Sequence, residues 1–291
     1  MMSDQAVSTD PSDRTRRLID RAEEWGVIIE ESFETSGAHF AFGRRGQRPV
    51  VLKVLKTEGD EWRSGEALSA FDGRGVARVY EHAGGALLME RLSPGYSLVD
   101  FTLSGRDEDA TTILARVIRD MEPARSSPSH PTVQEWGKAF SRYSATGDEQ
   151  IPAALVSRAH TAYADLCASQ KNVRLLHGDL QHSNVLFDRE RGWLAIDAKG
   201  VTGEVEYEIG PALRNPHEAA TQFTTPAIVE RRVGQFVSEL GLDRMRTLKW
   251  AFAQAVLSAI WVIEDEGTLG NANRGILLAE SIWPMISASR A

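Results

Sequence analysis

The sequence predicts an α+β fold with two lobes, a small β-rich amino-terminal lobe and a larger helical carboxy-terminal lobe. Short runs rich in β-forming residues fill the chain up to about residue 90, and helical periodicity of apolar residues dominates from there on. The 291 residues are enough for two lobes that enclose a cleft. We expect a disordered tail over 1–9, the first lobe over 10–92 and the second over 93–291.

The amino-terminal lobe is predicted to contain a helix, three strands, a second helix and two more strands. The segment TDPSDRTRRLIDRAEEWG is typical of a capped helix, with Pro11 suited to its first turn and Gly26 to its exit. The runs VIIEESFE, HFAFGRR and PVVLKVL predict strands, and 58–71 predicts the second helix. The runs VARVYEH and GALLMERL predict a strand pair joined by a Gly-Gly turn.

The carboxy-terminal lobe is predicted to be mostly helical, with one strand-rich interruption. The interruption, 173–197, carries the short apolar runs VRLLH, NVLF and WLAID, and DRERG between the last two predicts a hairpin. A loop rich in Pro and Ser covers 122–131. Helical patterns cover roughly 107–121, 132–143, 152–171, 225–240, 244–265 and 270–288.

Composition and charge disfavour several classes of protein. The formal net charge of −8 argues against nucleic acid or an anionic membrane as the main partner. Cys167 is the only cysteine, so no intrachain disulfide can form, which fits a reducing compartment and predicts a cytoplasmic protein. The first part of the chain has no apolar segment typical of a signal peptide, and the apolar run 251–263 is too short to span a bilayer.

A polar island lies between two apolar runs in LLHGDLQHSNVLF, residues 175–187. Asp179 is followed by Asn184 with four residues between them, and Asp197 comes at the end of WLAID. This spacing matches the kinase-type pattern D-x-x-x-x-N, followed by a metal-binding Asp at the end of the next strand pair. Because Mg²⁺ prefers carboxylate and amide oxygens, Asn184 and Asp197 are candidate metal ligands. Asp179 is then the candidate catalytic base for an attacking hydroxyl.

Two other interpretations of the polar island are open. Asp179 and Asn184 can form side-chain turns in an ordinary loop, as these residue types often do. Alternatively, His177, Asp179 and His182 have a spacing that a metal-dependent hydrolase could use. The other histidines of the sequence form no second cluster, which favours phosphoryl transfer over this hydrolase site.

Phosphoryl transfer also needs a cation for the phosphate groups, and the third predicted strand contains one. Lys53 lies in the middle of VVLKVL, where a lysine is costly to bury unless it is paired. Lys56 follows the strand and is the less favoured candidate. Glu66 lies deepest among the acidic residues of the next helix, so we expect it to pair with Lys53.

Two further segments are candidates for nucleotide contacts. Ser36 and Gly37 lie between the first two strands, where they could present backbone N–H groups to phosphate or form an ordinary hairpin turn. The backbone groups of Glu90 and Arg91, at the predicted hinge, would face an adenine ring. These positions make 10–92 the expected nucleotide-binding lobe and 93–291 the expected catalytic and acceptor-binding lobe.

The assembled residues resemble the aminoglycoside phosphotransferases, which share the protein-kinase-like fold. Within this family the chain is most similar to the streptomycin 6-kinase and hydroxyurea phosphotransferase branch. The stretch that carries the resemblance is 175–216, with the segments LHGDLQHSNVL, GWLAIDAKG and YEIGPALRNP. Weaker similarity extends from about residue 27 to 285.

The resemblance implies an enzyme with ATP as phosphate donor, Mg²⁺ as cofactor and the hydroxyl of a small molecule as acceptor. It implies Asp179 as catalytic base, Asn184 and Asp197 as metal ligands, and Lys53 as a phosphate contact. One position departs from the family pattern, because Ala198 stands where Pro is expected after the metal-binding Asp.

Acidic residues near the site suggest a cationic acceptor such as an aminoglycoside. If GEVEYEIG is extended, its three glutamates share one face and could hold guanidinium or ammonium groups. The alternative for this segment is a solvated charged stretch or the amino-terminus of a helix. A second acidic cluster ends a predicted helix, where negative charge is unfavourable for the helix dipole. The candidate acceptor residues are Glu204, Glu206, Glu208, Glu264 and Asp265. The alternatives are a kinase of hydroxyurea or another small metabolite, or a nucleotide-binding protein with little catalysis.

Overall fold

The computed structural model describes residues 11–121 and 129–288. The predicted α+β architecture is confirmed, with a β-rich amino-terminal lobe and a larger helical lobe that carries a strand-loop-strand unit. The tail predicted as disordered over 1–9 lies outside the described residues, as does most of the predicted loop over 122–131.

The described residues contain ten β-strands and twelve α-helices. The strands are β1 Ile28–Glu34, β2 Ala38–Arg45, β3 Arg48–Leu55, β4 Val79–Ala83, β5 Ala86–Glu90, β6 Pro94–Ser97, β7 Arg174–Leu176, β8 Val185–Asp188, β9 Gly192–Ala195 and β10 Val201–Gly203. The helices are α1 Pro11–Glu24, α2 Ser64–Ala70, α3 Leu98–Leu103, α4 Asp107–Asp120, α5 Val133–Trp136, α6 Lys138–Thr146, α7 Ala153–Ala168, α8 Val205–Leu213, α9 Ala220–Phe223, α10 Pro226–Leu240, α11 Arg244–Glu266 and α12 Arg274–Ser287.

The five strands predicted in the amino-terminal lobe form one antiparallel sheet in the order β1-β2-β3-β5-β4. Successive side chains of β3 point to opposite faces of the sheet, and both faces are buried. Val50, Leu52 and Val54 pack in a core that includes residues of α1. Lys53 lies between them in sequence and therefore points to the other face of the sheet, toward the larger lobe.

The helix predicted over 58–71 is divided in the structure. A short 3₁₀ helix, Asp60–Arg63, precedes α2, and the backbone turns between them at Arg63, which makes no side-chain cap. Leu68 and Phe71 enter the main core, as an amphipathic helix at this place requires. The division matters for the site because it gives Glu61 and Glu66 different directions.

The larger lobe is built around α11, the 23-residue helix that contains the apolar run 251–263. Nearly all residues of α11 from Thr247 to Ile260 are buried, and α7, α8 and α12 pack against it. The apolar run is therefore a core helix. In the described part of the chain, no helix is both long and apolar enough to cross a membrane.

The strand-loop-strand unit predicted over 173–197 is present and gains a strand at each side. β8 and β9 form the predicted hairpin, β6 pairs with β8, and β7 pairs with β10. Asp188 shapes the hairpin turn by accepting from the amides of Glu190 and Arg191, at 3.0 and 2.9 Å. Its other carboxylate oxygen accepts from Ser93 N, so the hairpin is joined to the segment that links the two lobes.

A buried ion pair between α10 and α4 stabilises the larger lobe. Arg232 of α10 donates from Nε to Asp107 Oδ1 of α4 at 3.1 Å. Its Nη1 donates to the carbonyl oxygens of Ala212 and Asn215, at 3.1 and 2.7 Å. The Arg232 side chain is only 1% exposed, so its charge depends on these contacts for compensation.

We expect Arg232→Met to lower the free energy of unfolding by about 3–5 kcal/mol, because it leaves buried acceptors and the Asp107 carboxylate with less compensation. The measurement is urea-induced unfolding at neutral pH. The matched control is Arg44→Met, which removes an arginine that pairs with Glu30 at 2.8 Å but is half exposed. The control should change stability by less than ~1 kcal/mol. Equal losses in the two variants would contradict the assignment.

Candidate active site

The structure brings Lys53 of the amino-terminal lobe to Asp197 of the larger lobe. Lys53 Nζ lies 2.8 Å from Asp197 Oδ1 and 2.8 Å from Glu61 Oε2. Burial by itself lowers the pKa of Lys53, but the charges and hydrogen bonds of the two carboxylates outweigh it, so that the pKa is raised. The ammonium group is therefore a fixed positive charge at the junction of the lobes.

The expected pairing of Lys53 with Glu66 is wrong, because Glu61 occupies that place. Glu61 lies in the 3₁₀ turn before α2 and reaches the end of the Lys53 side chain. Glu66 lies on α2, where its Oε1 accepts a hydrogen bond from Ser129. The negative charge of Glu66 also has an electrostatic interaction with His130. Glu66 therefore belongs to the contact between α2 and the segment before α5.

His177 fixes the backbone of the polar island with both ring nitrogens. Its Nδ1 accepts from Asp179 N at 3.3 Å, and its Nε2 therefore carries the proton that it shares with the Ile196 carbonyl at 2.8 Å. The His177 carbonyl accepts in turn from the amides of Lys199 and Gly200. The ring thus ties the segment of Asp179 to the segment of Asp197.

Glu208 supports the same loop through hydrogen bonds to its backbone. Its carboxylate is buried and accepts from Gly178 N at 3.1 Å and from Leu180 N at 3.3 Å. Burial raises the pKa of Glu208, and the nearby His177 ring and the surrounding amides oppose this effect only in part. Gly178 has a φ of +85°, and a Cβ there would lie 2.9 Å from Trp136, so this position requires glycine.

Asn184 and Asp197 offer the oxygen ligands that Mg²⁺ prefers. Asn184 Nδ2 donates to the Asp179 carbonyl at 2.9 Å, which directs the amide oxygen to the other side. The Asn184 carbonyl accepts from Ile196 N at 2.9 Å, so Asp197 follows directly after a residue bonded to Asn184. Asp197 has a φ of +58°, a left-handed conformation that is strained for a residue other than glycine and is typical of functional sites.

This donor set fits a magnesium ion that arrives with a nucleotide. One carboxylate and one amide are enough when phosphate oxygens complete the coordination. Among residues 11–121 and 129–288, no group of three His, Cys, Asp or Glu side chains could hold a metal by itself. The alternative hydrolase site is not assembled, because backbone groups engage both nitrogens of His177 and His182 points into the protein interior.

Asp179 faces a positively charged wall. Arg214 Nη2 lies 3.7 Å from Asp179 Oδ1, and Gln181 Nε2 donates to Asp179 Oδ2 at 3.4 Å. Burial lowers the pKa of Arg214 to about 10, and the charge of Asp179 opposes this effect, so the guanidinium stays charged at neutral pH. The carboxylate of Asp179 is therefore held in place by side chains of its own lobe.

A cavity of about 570 Å³ opens beside the Asp179 loop. The loop contributes Gln181 and Ser183 to its wall, and the connection between α11 and α12 contributes much of the opposite side. Leu269 N donates to Gln150 Oε1 at 2.9 Å, which anchors this connection. The polar and charged residues of the lining are Gln181, Ser183, Asn215, His217, Glu218, Thr221, Glu266, Asn271, Asn273 and Arg274.

Glu204 and Glu208 are not exposed to an acceptor, which corrects the prediction from the sequence. The segment GEVEYEIG is not extended, because α8 begins at Val205 and places Glu204 and Glu208 on the same inward side. Glu204 is buried and accepts from Arg246, from Trp250 Nε1 and from Lys171 N. Glu206 lines a separate groove beside Arg174, away from Asp179.

Two of the three residues of the second acidic cluster, Glu264 and Asp265, are outside the lining of the cavity. Glu264 forms a bidentate ion pair with Arg142, with two distances of 2.9 Å. Asp265 is exposed at the end of α11. Of the three consecutive acidic residues, the lining in the described part of the chain includes Glu266 but neither Glu264 nor Asp265.

The remaining predicted nucleotide positions lie at the tip and the edge of the amino-terminal sheet. Ser36 and Gly37 form the turn between β1 and β2, and Gly37 O accepts from Lys56 N at 2.9 Å. Glu90 N donates to Arg78 O and Arg91 N donates to Pro49 O, at 2.9 and 3.3 Å. An adenine contact by Glu90 or Arg91 would therefore have to use a carbonyl oxygen, because both amides are engaged.

A family model described as aminoglycoside/hydroxyurea antibiotic resistance kinase matches residues 32–266. The chain belongs to this family. The family resemblance that the polar island carries in the sequence is thereby confirmed.

Members of the resistance kinase family from several bacteria are similar to most of the chain. A streptomycin 3''-kinase of Klebsiella pneumoniae is 35% identical over 250 residues, which cover 84% of this chain and 91% of the relative. A hydroxyurea phosphotransferase of Kitasatospora aureofaciens is 31% identical over 287 residues, covering 91% and 77%. A streptomycin 6-kinase of Streptomyces glaucescens is 27% identical over 261 residues, covering 81% and 82%.

Solved structures confirm the protein-kinase-like fold of this chain. A thermostable mutant of the aminoglycoside phosphotransferase APH(4)-Ia, in a complex with ADP and hygromycin B, superposes with a TM-score of 0.65 at 14% identity, covering 94% of this chain and 99% of that one. The choline kinase LicA of Streptococcus pneumoniae gives 0.60 at 12% identity, with the same coverage.

Several residues of the candidate site are not predicted from the sequence. Glu61 is one of the acidic residues of the predicted helix over which Glu66 is preferred, and Glu208 is predicted in the acceptor site. The sequence analysis assigns no role to Arg214 or Arg274, although Arg214 lies in the segment YEIGPALRNP that carries the family resemblance. That segment was the available signal for Arg214, whereas Arg274 comes from α12 and has no local motif.

We expect Glu61→Gln to lower the pKa of Lys53, because one of the two charges that oppose the effect of burial is removed. The matched control, Glu66→Gln, changes the same residue type in the neighbouring helix and should leave the pKa of Lys53 unchanged. The measurement is a nuclear magnetic resonance titration of lysine labelled with ¹³C. A larger effect of the control would restore the pairing expected from the sequence.

We expect the free energy of unfolding to decrease on acidification because of His182. Burial, reinforced by the charge of Arg232, lowers its pKa to about 3. Between that value and the ordinary value near ~6.5, the unfolded chain binds a proton that the folded chain does not, which costs up to ~1.4 kcal/mol per pH unit. His182→Leu should remove this component of the pH dependence in urea unfolding between about pH 7 and pH 5.

The matched control for this measurement is His82→Leu, a change at an exposed histidine of β4. It should leave the pH dependence as in the parent protein. An unchanged slope in His182→Leu would show that His182 does not bind its proton with the stated low pKa.

Proposed function

We propose that the chain is an ATP-dependent phosphotransferase that transfers the γ-phosphate to a hydroxyl group of an aminoglycoside. One observation carries the proposal. Lys53 pairs with Asp197, and the His177 ring ties the segment of Asp197 to the Asp179 loop. Gln181 of the same loop donates to Asp179 and lines a cavity of about 570 Å³. A donor site and an acceptor site would therefore meet at the Asp179 loop.

The amino-terminal lobe would hold the nucleotide. Lys53 is buried, charged and fixed by two carboxylates, so it offers a preorganised positive charge to phosphate oxygens. The turn of Ser36 and Gly37 would cover the phosphates with backbone N–H groups. The carbonyl oxygens at Glu90 and Arg91 would face the base at the link between the lobes.

Asn184 and Asp197 would hold the magnesium ion. When bound, the ion supplies positive charge that compensates the phosphate oxygens during transfer. The left-handed backbone of Asp197 and the bond from Asn184 Nδ2 to the Asp179 carbonyl orient the two ligands before binding. This preorganisation reduces the reorganisation that ligand binding would otherwise require.

Asp179 would accept or orient the proton of the acceptor hydroxyl. The carboxylate lies beside Arg214 and Gln181, and backbone bonds through His177 and Glu208 fix the main chain on either side of it. Because the loop cannot move independently, the hydroxyl is positioned relative to a fixed base.

The volume of the cavity favours an acceptor of aminoglycoside size. About 570 Å³ lies within the range of ~300–1,000 Å³ that pockets for drug-sized ligands occupy. Glu218 and Glu266 in its lining can bind cationic groups through charge-assisted hydrogen bonds. Hydroxyurea, with only a few heavy atoms, would fill little of this space. It is the second candidate because its phosphotransferase is 31% identical to this chain.

The test is release of ADP from ATP and Mg²⁺ over a panel of aminoglycosides that includes streptomycin, with hydroxyurea as a separate sample. We expect turnover with at least one aminoglycoside. Asp179→Asn should reduce the rate by about 10²-fold or more, because the base is lost while the shape is kept. Binding of a non-hydrolysable ATP analogue should remain, which shows that the variant is folded.

Absence of turnover with every aminoglycoside would overturn the proposed acceptor class, and turnover with hydroxyurea alone would favour the second candidate. Full activity of Asp179→Asn would contradict the role of Asp179 in either case.

A further inference from the structure

The lining of the cavity beside the Asp179 loop includes an arginine side chain, although a pocket for cationic acceptors is expected to be acidic. Arg274 is part of the lining, together with Glu218 and Glu266. The lining therefore combines acidic groups with a guanidinium, and it also includes Gln181 of the Asp179 loop.

Arg274 is fixed in the cavity lining by its place in the chain and by one side-chain contact. It is the first residue of α12, and Asn273 caps that helix by accepting from Gly275 N at 2.8 Å. Arg274 Nη1 donates to Asn215 Oδ1. Asn215 directly follows Arg214 and is held by its own bond from Nδ2 to the Pro211 carbonyl at 2.8 Å.

Two guanidinium groups therefore lie near the catalytic end of the cavity, which is the end that Gln181 and Asn215 line. Arg214 Nη2 lies 3.7 Å from Asp179 Oδ1, and Arg274 is linked to the residue next to Arg214. Burial lowers the pKa of Arg274, while the charges of Asp179 and then of Glu218 oppose this effect. Both arginines therefore have a favourable electrostatic interaction with Asp179.

We propose that Arg274 determines which part of the acceptor reaches Asp179, by repelling ammonium and guanidinium groups from the catalytic end of the cavity. This inference rests on the function proposed above. An aminoglycoside carries its cationic groups apart from some of its hydroxyl groups. Repulsion at Arg274 disfavours every orientation that brings a cationic group to Asp179, and Glu266 attracts such groups to the end of α11.

This role predicts a distinctive kinetic result for Arg274→Gln. Without the positive charge, unproductive orientations become accessible, so that the acceptor binds more tightly but is less often aligned for transfer. Streptomycin should bind about tenfold more tightly, since one like-charge repulsion is removed. The values of kcat and KM should fall together, and kcat/KM should stay within about twofold.

The experiment combines calorimetric binding of streptomycin with steady-state kinetics on the full chain. Arg274→Lys keeps the charge and should resemble the parent protein. Arg274→Met is a second neutral variant, and it should repeat the result of Arg274→Gln. Arg116→Gln, which removes the same charge from an exposed position on α4, is the matched control and should have no effect.

Unchanged or weaker streptomycin binding by both neutral variants would overturn the proposal. A fall in kcat with KM unchanged would also overturn it, because that result indicates that Arg274 stabilises the transferring phosphate. The binding measurement does not require turnover. An inactive parent protein that binds streptomycin, with tighter binding by the neutral variants, would thus count against the proposed function and in favour of this inference.

Discussion

The need to neutralise one buried ammonium group organises the junction between the two lobes. Lys53 lies in the middle of a strand whose neighbours are apolar, and a lysine there is stable as a cation only if carboxylates reach it. One carboxylate, Glu61, comes from the amino-terminal lobe, and the other, Asp197, comes from the larger lobe. The ion pairs therefore join the lobes at the point where phosphate groups would need positive charge.

The loop that carries Asp179 is held mainly by bonds to its backbone. The His177 ring connects the loop to the Ile196 carbonyl, and the Glu208 carboxylate accepts hydrogen bonds from two amide groups of the loop. Such contacts fix the path of the main chain and leave the Asp179 side chain to contact Arg214 and Gln181. The local sequence is rich in polar residues for this reason, and only some of them are available for catalysis.

Much of the architecture could be predicted from the sequence, because the patterns that specify it are local. The order of the first five strands and of the long helices follows from periodicity, and Asp179, Asn184 and Asp197 can be proposed together because they lie within one short segment. The choice of Glu66 over Glu61 failed because it depended on where a helix begins. The three glutamates after residue 203 were misplaced because alternation also occurs on a helix, where Glu204 and Glu208 share a side. Arg274 could not be predicted, since its proximity to Asp179 depends on the packing of α12.

The site and its surroundings come from different parts of the chain. The groups assigned to the chemistry lie within residues 177–197 and on β3, whereas the far wall of the cavity is formed largely by the connection that precedes α12. Substitutions in that connection can change the shape and charge of the cavity without altering the backbone bonds of His177 and Glu208. Acceptor preference can thus change through this connection while the residues proposed for the transfer stay the same.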